Sequence, residues 1–494
     1  MNTWFHKLGI QWTVSYLFCL SAILGYYFVN RGDDGRGAAF RAGSRNLGTA
    51  AAYPERDSWK KVTSSFSSGY GREGHNLVVV KTDNGGGMVP FTLLALGGMT
   101  IDMSGRPNYM GDTSVSRDEG RTWVTIPKVP GKSFTRRWSA ASAVVRVYNL
   151  VNNQAYERIV VIGGFYSYVS NSLETKKVFL NDVWTTDLSM TDGNATLKGL
   201  AWNWTNTTDV CVEKGTSLKK CVFSERYGHS LIAFGGNMAR TDVLRGPGQV
   251  SSYLILIGGR TRFGFRSDVW ISKDGGNSWT EQSSRSRFSP RAYHSCVTYG
   301  KKIFVYGGRA SSSSSIYNDV WRSSDAGKTF QRMASEAKWE KRYRAMAVAY
   351  PLDKTFNTGI IAIMGGYQSG TSTLFSDFYI SADDGASWTL QHSNLPFGER
   401  SAGAACVVPR HTPDYWPQLL DPVPGGTTDD ESFYPMTPFV LCGGMSHRNR
   451  LNDCYLRLRN VVATRAGASA KGPLSIGPLA IFLAITLELW SILC

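Results

Sequence analysis

Four short landmarks recur six times along this chain in one fixed order, and that recurrence constrains the fold more than any other feature. The first is an arginine, at Arg72, Arg137, Arg226, Arg291, Arg342 and Arg400, with His75, His229 and His294 three residues after three of them. The second is an apolar run closed by Gly-Gly: FTLLAL before Gly97, RIVVI before Gly163, YLILI before Gly258, KIFVY before Gly307, IIAIM before Gly365 and PFVLC before Gly443. Such runs suit strands buried on both faces, and a glycine pair readily takes the positive φ that ends them. The third is an aspartate leading a short strand, at Asp112, Asp182, Asp268, Asp319, Asp377 and Asp453. The fourth is a large aromatic on the next strand, at Trp123, Trp204, Trp279, Phe330 and Trp388.

The sixth aromatic is displaced. None follows Asp453; Trp59 stands instead upstream of Arg72. A ring of sheets closes well when the N-terminal strand completes the blade begun by the C-terminal strands, because no free sheet edge then remains between them. The pattern therefore predicts an all-β chain: a six-bladed β-propeller of four-stranded antiparallel blades, closed by the strand around Trp59 pairing with the last blade. Spacing between successive arginines runs from 51 to 89 residues, so the variation belongs to loops.

The R-x-x-H, Gly-Gly, D-V-W and Trp series resembles the Kelch repeat. Four turns between third and fourth strands also read S-x-D-x-G-x-x-[WF], beginning at Ser116, Ser272, Ser323 and Ser381. These resemble the Asp boxes of sialidase-type propellers, with Asp118, Asp274, Asp325 and Asp383 as the turn carboxylates. The resemblance spans residues 57–458. It implies a structural role for both motifs and leaves the task of the propeller open.

The two ends have a different composition. Residues 1–31 hold the apolar stretch Trp12 to Val29, which reads as a signal peptide or a signal anchor, and residues 32–56 read as a linker. Residues 459–475 form a second linker, with Gly467, Ala468 and Ser469 as candidate attachment residues for a glycosylphosphatidylinositol anchor. Residues 476–494 are a hydrophobic tail, read as the removable part of that signal in preference to a transmembrane segment. Membrane association is expected through one of these segments. Both ends place the chain in the secretory pathway, at the extracellular face of the membrane or secreted, with a luminal type II protein as the alternative.

That compartment gives meaning to two further patterns. Glycosylation sequons cluster at Asn194, Asn203 and Asn206, and an oxidising environment allows cysteines to pair. Cys211 and Cys221 bracket a short loop beside the sequons that a disulfide between them would pin, Cys442 and Cys454 fall on successive strands of the last blade where a cross-strand disulfide can form, and Cys296 and Cys406 read as buried free thiols.

The formal charge is +16, and it falls only to about +14 without the terminal segments, so the propeller itself is basic. A basic extracellular surface favours an anionic partner, either a protein or an anionic glycan; nucleic acid is not expected in that compartment. In an up-and-down blade the loops between strands two and three share a face with the connections between blades. The six arginines are expected at the channel mouth on that face, interleaved with Trp138, Tyr227, Tyr293 and Tyr343 as ligand-binding residues. Arg260, Arg262, Arg266, Arg309, Tyr367, Arg448 and Arg450 join them from loops, while the 411–437 insertion projects from the opposite face.

A catalytic reading needs more than arginines. A sialidase requires three arginines around a carboxylate, a Tyr–Glu nucleophile pair and an aspartic acid/base, and a copper oxidase requires paired Tyr and His ligands. Neither set can be assembled from the spacing, and no catalytic residue, metal or cofactor is assigned. The expectation is a monomeric, non-catalytic binding module, with a divergent sialidase-like glycoside hydrolase as the alternative.

Overall fold

The computed structural model describes residues 57–66, 71–81, 91–128, 130–149, 154–172, 174–188, 204–207, 223–234, 253–283, 286–311, 315–351, 357–408, 439–447 and 449–459. Both terminal hydrophobic segments, the Gly467, Ala468 and Ser469 candidates, Asn194, Asn203, Cys211, Cys221, Arg448 and the 411–437 insertion lie outside the described residues.

Six four-stranded antiparallel sheets make up the propeller. From axis to rim, blade 1 is Asn76–Lys81, Phe91–Ile101, Pro107–Ser116 and Val124–Ile126, and blade 2 is Ala141–Asn149, Gln154–Val169, Thr175–Leu188 and Thr205–Asn206. Blade 3 is Ser230–Phe234, Tyr253–Thr261, Gly264–Ser272 and Thr280–Ser283, and blade 4 is Ser295–Tyr299, Lys302–Tyr306, Val320–Ser323 and Gln331–Ala334. Blade 5 is Met346–Pro351, Gly359–Met364, Phe378–Ser381 and Thr389–His392. Blade 6 takes Ala404–Val407, Phe439–Cys442 and Cys454–Arg459 from the C-terminal side and Asp57–Thr63 from the N-terminal side, with Trp59 opposite Arg457. The closure expected from the displaced aromatic is thus present.

The apolar runs are explained by what flanks them. In blade 1, Leu93 and Ala95 pack toward blade 6 with Val440 and Leu456, whereas Leu94 and Leu96 pack toward blade 2 with Ile159 and Val161. A strand alternates its side chains between faces, so a sheet clamped between two others needs apolar residues at both parities. The same alternation continues round the ring, with one apolar layer between each adjacent pair of blades. The innermost strand of each blade also touches that of the next, including blade 6 with blade 1.

On one face, the four S-x-D-x-G segments close the turns between strands three and four of blades 1, 3, 4 and 5. In each, the serine hydroxyl donates to the aspartate and accepts the glycine amide, as Ser272 does with Asp274 and Gly276. Burial alone would push the carboxyls of Asp118, Asp325 and Asp383 up, but hydrogen bonds from the following threonine or serine and from the box serine outweigh it and hold them below the usual carboxylate range. The box glycine faces the preceding blade: a Cβ on Gly327 would sit 2.8 Å from Val269 Cγ1, and one on Gly385 2.5 Å from Val320 Cγ1. Cys442 and Cys454, directly opposed in blade 6, form a disulfide. Cys296 and Cys406 are free, with burial pushing both thiols up.

Candidate binding face

The face opposite the Asp boxes is built in three tiers around the axis, and the repeat arginines form the deepest. Arg72, Arg226, Arg291, Arg342 and Arg400 are fully buried and Arg137 is 1% exposed. Each guanidinium meets both carboxylate oxygens of the repeat aspartate, which lies within the third strand in blades 1 to 3 and just before it in blades 4 to 6: Arg72 with Asp112, Arg137 with Asp182, Arg226 with Asp268, Arg291 with Asp319, Arg342 with Asp377 and Arg400 with Asp453. In blade 3 both bonds are 2.8 Å. Each guanidinium also donates to the carbonyl of the first glycine in its Gly-Gly pair, 2.9 Å for Arg226 to Gly258. An aromatic lies alongside every one: Phe66, Phe134, Phe223, Phe288, Trp339 and Phe397.

The backbone of these arginines links blades as the side chain links strands. The carbonyl of each accepts the amide of the second Gly-Gly glycine in the preceding blade, from Gly98 with Arg137 round to Gly444 with Arg72. A planar fork matches a carboxylate in two parallel bonds, so one side chain fixes two strands in register. The six arginines expected to hold a ligand are therefore turned inward and engaged by the blades. His75, His229 and His294 are buried beside them, and desolvation with the neighbouring arginine charge depresses all three, His75 and His294 to about 3.

The second tier is a closed ring of backbone hydrogen bonds. Its members stand two residues after each arginine: Gly74, Ser139, Gly228, Tyr293, Arg344 and Ala402, all at positive φ. Each amide donates to the carbonyl of the member in the blade before it, at 2.7–3.0 Å, and Gly74 completes the circuit by donating to Ala402. Glycine takes this conformation without cost, while the four side-chain-bearing members hold a sparsely populated one. A Cβ on Gly74 would lie 2.3 Å from the Trp138 indole nitrogen, so glycine is required there twice over.

Aromatics and one arginine fill the space inside this ring. Trp138, Tyr227 and Tyr343 are at most 9% exposed and Tyr293 is half-buried. From blade 5, the Arg344 guanidinium reaches across the axis to lie 4.8 Å from the Trp138 ring centre of blade 2 and 4.7 Å from that of Tyr293 in blade 4. Burial works against its charge, but Tyr293 and buried Glu73 raise it above the ordinary arginine value. Arg450 binds Glu73 at 3.0 Å, and Arg309 stacks on Tyr343. The centre of the mouth is a packed plug.

The third tier departs from sixfold symmetry. Past the Gly-Gly pair blade 4 carries a loop, blades 5 and 6 carry separate two-stranded hairpins, Tyr367–Gln368 with Thr373–Leu374 and Met445–Ser446 with Asn449–Arg450, and in blades 1, 2 and 3 strands two and three themselves continue as hairpins. Half-buried Tyr109, Phe165 and Phe179 join Met99, Trp138 and Tyr227 in an aromatic floor at their base. Tyr109 also reaches the Ser167 hydroxyl at 3.0 Å, tying the first hairpin to the second, and Phe165 lies 5.4 Å from Tyr227 of blade 3. At the tips, Met103 is 98% exposed, Phe263 76%, Val169 57% and Tyr168 39%.

Basic residues surround these tips: Arg106, Arg136, Lys176, Lys177, Arg260 and Arg262 are all exposed. Arg262 pairs with Glu225, and Arg136 stacks on Tyr166. The loop arginines Arg260, Arg262 and Arg266 were legible from sequence as members of the mouth. Met103, Tyr168, Val169 and Phe263 were not, because aromatic and apolar residues follow Gly-Gly in the other repeats too, as at Ile316, Tyr367 and Met445.

Comparison with known proteins gives one local match. A family model described as the Kelch motif matches residues 290–322, which run from just before Arg291 into the third strand of blade 4. No curated protein matches the chain.

Proposed function

We propose that this chain, a Kelch-repeat β-propeller, is a non-catalytic binding module of the cell surface or secreted space that recognises an anionic partner, a protein in preference to a glycan, on its hairpin-bearing face. Propellers of this repeat generally serve protein interaction, which supports the coarse reading. The observation that carries the finer one is the ring of exposed basic residues on blades 1 to 3, above a floor of half-buried aromatics. Arginine and lysine there offer donors that the buried repeat arginines do not.

The glycosidase alternative needs free carboxylates at the mouth. Among the described residues, Glu73, Glu225 and Glu399 at the mouth are bonded to Arg450, Arg262 and His447. Polyglutamate is the test ligand: binding that weakens with added salt, and by at least about tenfold in a variant carrying Arg260→Glu and Arg262→Glu, is the expected result. Unchanged binding in that variant would remove the proposal, and turnover of a sialoside substrate by the purified chain would replace it with the hydrolase.

A further inference from the structure

We infer that the partner docks off the propeller axis, on the hairpins of blades 1 to 3 that carry the exposed apolar tips, and that it is a polypeptide presenting apolar side chains among acidic ones. This rests on the reading above and narrows it, because an anionic glycan or a purely acidic chain would use the basic residues alone.

The tips are held out by design of their turns. Around Met103, the Asp102 carboxylate accepts the amides of Ser104 and Arg106 at 2.9 and 2.8 Å, and the Asp102 amide donates to the Arg106 carbonyl. Around Phe263, the Thr261 hydroxyl donates to the Gly264 carbonyl and accepts the Phe263 amide. Beyond Val169, the Ser170 amide and hydroxyl both donate to the Glu174 carbonyl. Each turn is therefore internally bonded, and its apolar side chain is exposed to water, with the Arg262 guanidinium alongside the Phe263 ring. Water-exposed apolar surface displayed from ordered turns is pre-organised for burial, since a partner that covers it need not first order the loop.

Two observations place the partner off the axis. The centre is already occupied by Arg344, Trp138 and Tyr293, packed at 4.7–4.8 Å, so little surface is left there to bury. The hairpins of blades 1 and 2, by contrast, are joined by Tyr109 to Ser167, and Phe165 of blade 2 packs on Tyr227, whose backbone bonds that of Arg260 at the foot of the third hairpin. Charge sets the partner's sign: five exposed cations, Arg106, Lys176, Lys177, Arg260 and Arg262, flank the tips, against three acidic residues, Asp102, which is engaged in its own turn, Glu225, which is paired with Arg262, and exposed Glu174. An acidic chain that also carries aromatic or aliphatic side chains satisfies both the cations and the exposed tips.

The test compares two soluble probes on the full-length chain, polyglutamate and a random glutamate–tyrosine copolymer of equal charge. The copolymer is expected to bind about tenfold more tightly, the gain from covering one or two partly buried apolar groups. That preference is expected to vanish in a variant carrying Met103→Ser, Val169→Ser and Phe263→Ser, whose melting temperature is measured alongside to show that it folds. A preference that survives the triple substitution overturns the inference, as does equal binding of both probes, which leaves the anionic-partner reading intact. No binding of either probe overturns both. Displacement of the copolymer by phosphatidylserine vesicles, lost in the triple variant, would identify a lipid surface as the occupant and also overturn the inference.

Discussion

The ring of repeat arginines and the wall of hairpins rise from the same face of the propeller, yet they answer to different requirements. Every arginine has its own aspartate, its own glycine carbonyl and its own aromatic, all supplied by the repeat. The hairpin tips have no such partners and are not repeated. What recurs six times is what each blade needs in order to hold its strands and its neighbour, and a feature needed six times over is poorly placed to discriminate one ligand. The exposed apolar tips of blades 1 to 3 are not shared by all six repeats, and recognition is proposed there.

The comparison is broken most forcefully at the ring. Removing one member of a buried ion pair strands the other, so Arg342→Ala is expected to cost about 3–5 kcal/mol of stability in chemical unfolding, because Asp377 and the Gly365 carbonyl lose their donor. A cost below about 1 kcal/mol would mean that the guanidinium is dispensable to the blade and free for another role.

Acid probes the same ring through its histidines. His75 and His294 are held neutral down to about 3, while an unfolded chain protonates them near 6.5. The unfolded state therefore binds more protons between those values, and stability present above pH 6.5 is lost as pH falls through that window. Each residue contributes a loss of about 1.4 kcal/mol per pH unit, or about 2 kcal/mol by pH 5. Unfolding measured at pH 7, 6 and 5 tests this, and His294→Asn is expected to flatten the slope.

The Asp-box face is expected to give a smaller response. Asp274→Ala removes the acceptor for Ser272 and for the amide and hydroxyl of Ser278, at a cost of about 1–2 kcal/mol, with polyglutamate affinity unchanged. The smallest effect on stability belongs to the hairpins. Met103 is 98% exposed and Phe263 76%, so Met103→Ser and Phe263→Ser are each expected to shift the unfolding free energy by no more than about 0.5 kcal/mol. A large loss there would show that the tips belong to the scaffold, and the contrast drawn between ring and wall would fail.

Particular residues show how far reading the chain could go. Trp59 was legible as the missing aromatic of the last blade, because a strand pattern is local and its absence after Asp453 is visible in the sequence. The Cys442–Cys454 pair was legible for the same reason, since both sit on strands whose order the repeat dictates. Arg344 was not: it follows Tyr343 in a stretch that reads as a connection between strands, and only the converging blades give it aromatics from across the axis. The free thiols Cys296 and Cys406 were separable from the paired cysteines by their equivalent positions two blades apart. The pairing proposed for Cys211 and Cys221 falls outside the described residues.

The sequence by itself determined the blade count, the strand order within each blade and the closure, because these depend on period-two alternation and on glycine pairs that act within a few residues. Tertiary structure alone decided which arginines meet solvent. Arg400 and its aspartate stand 53 residues apart, and Arg342 and its aspartate 35, so whether a guanidinium faces inward or outward depends on groups that only folding brings near. Residue type supplies a donor; the surrounding sheets set its direction.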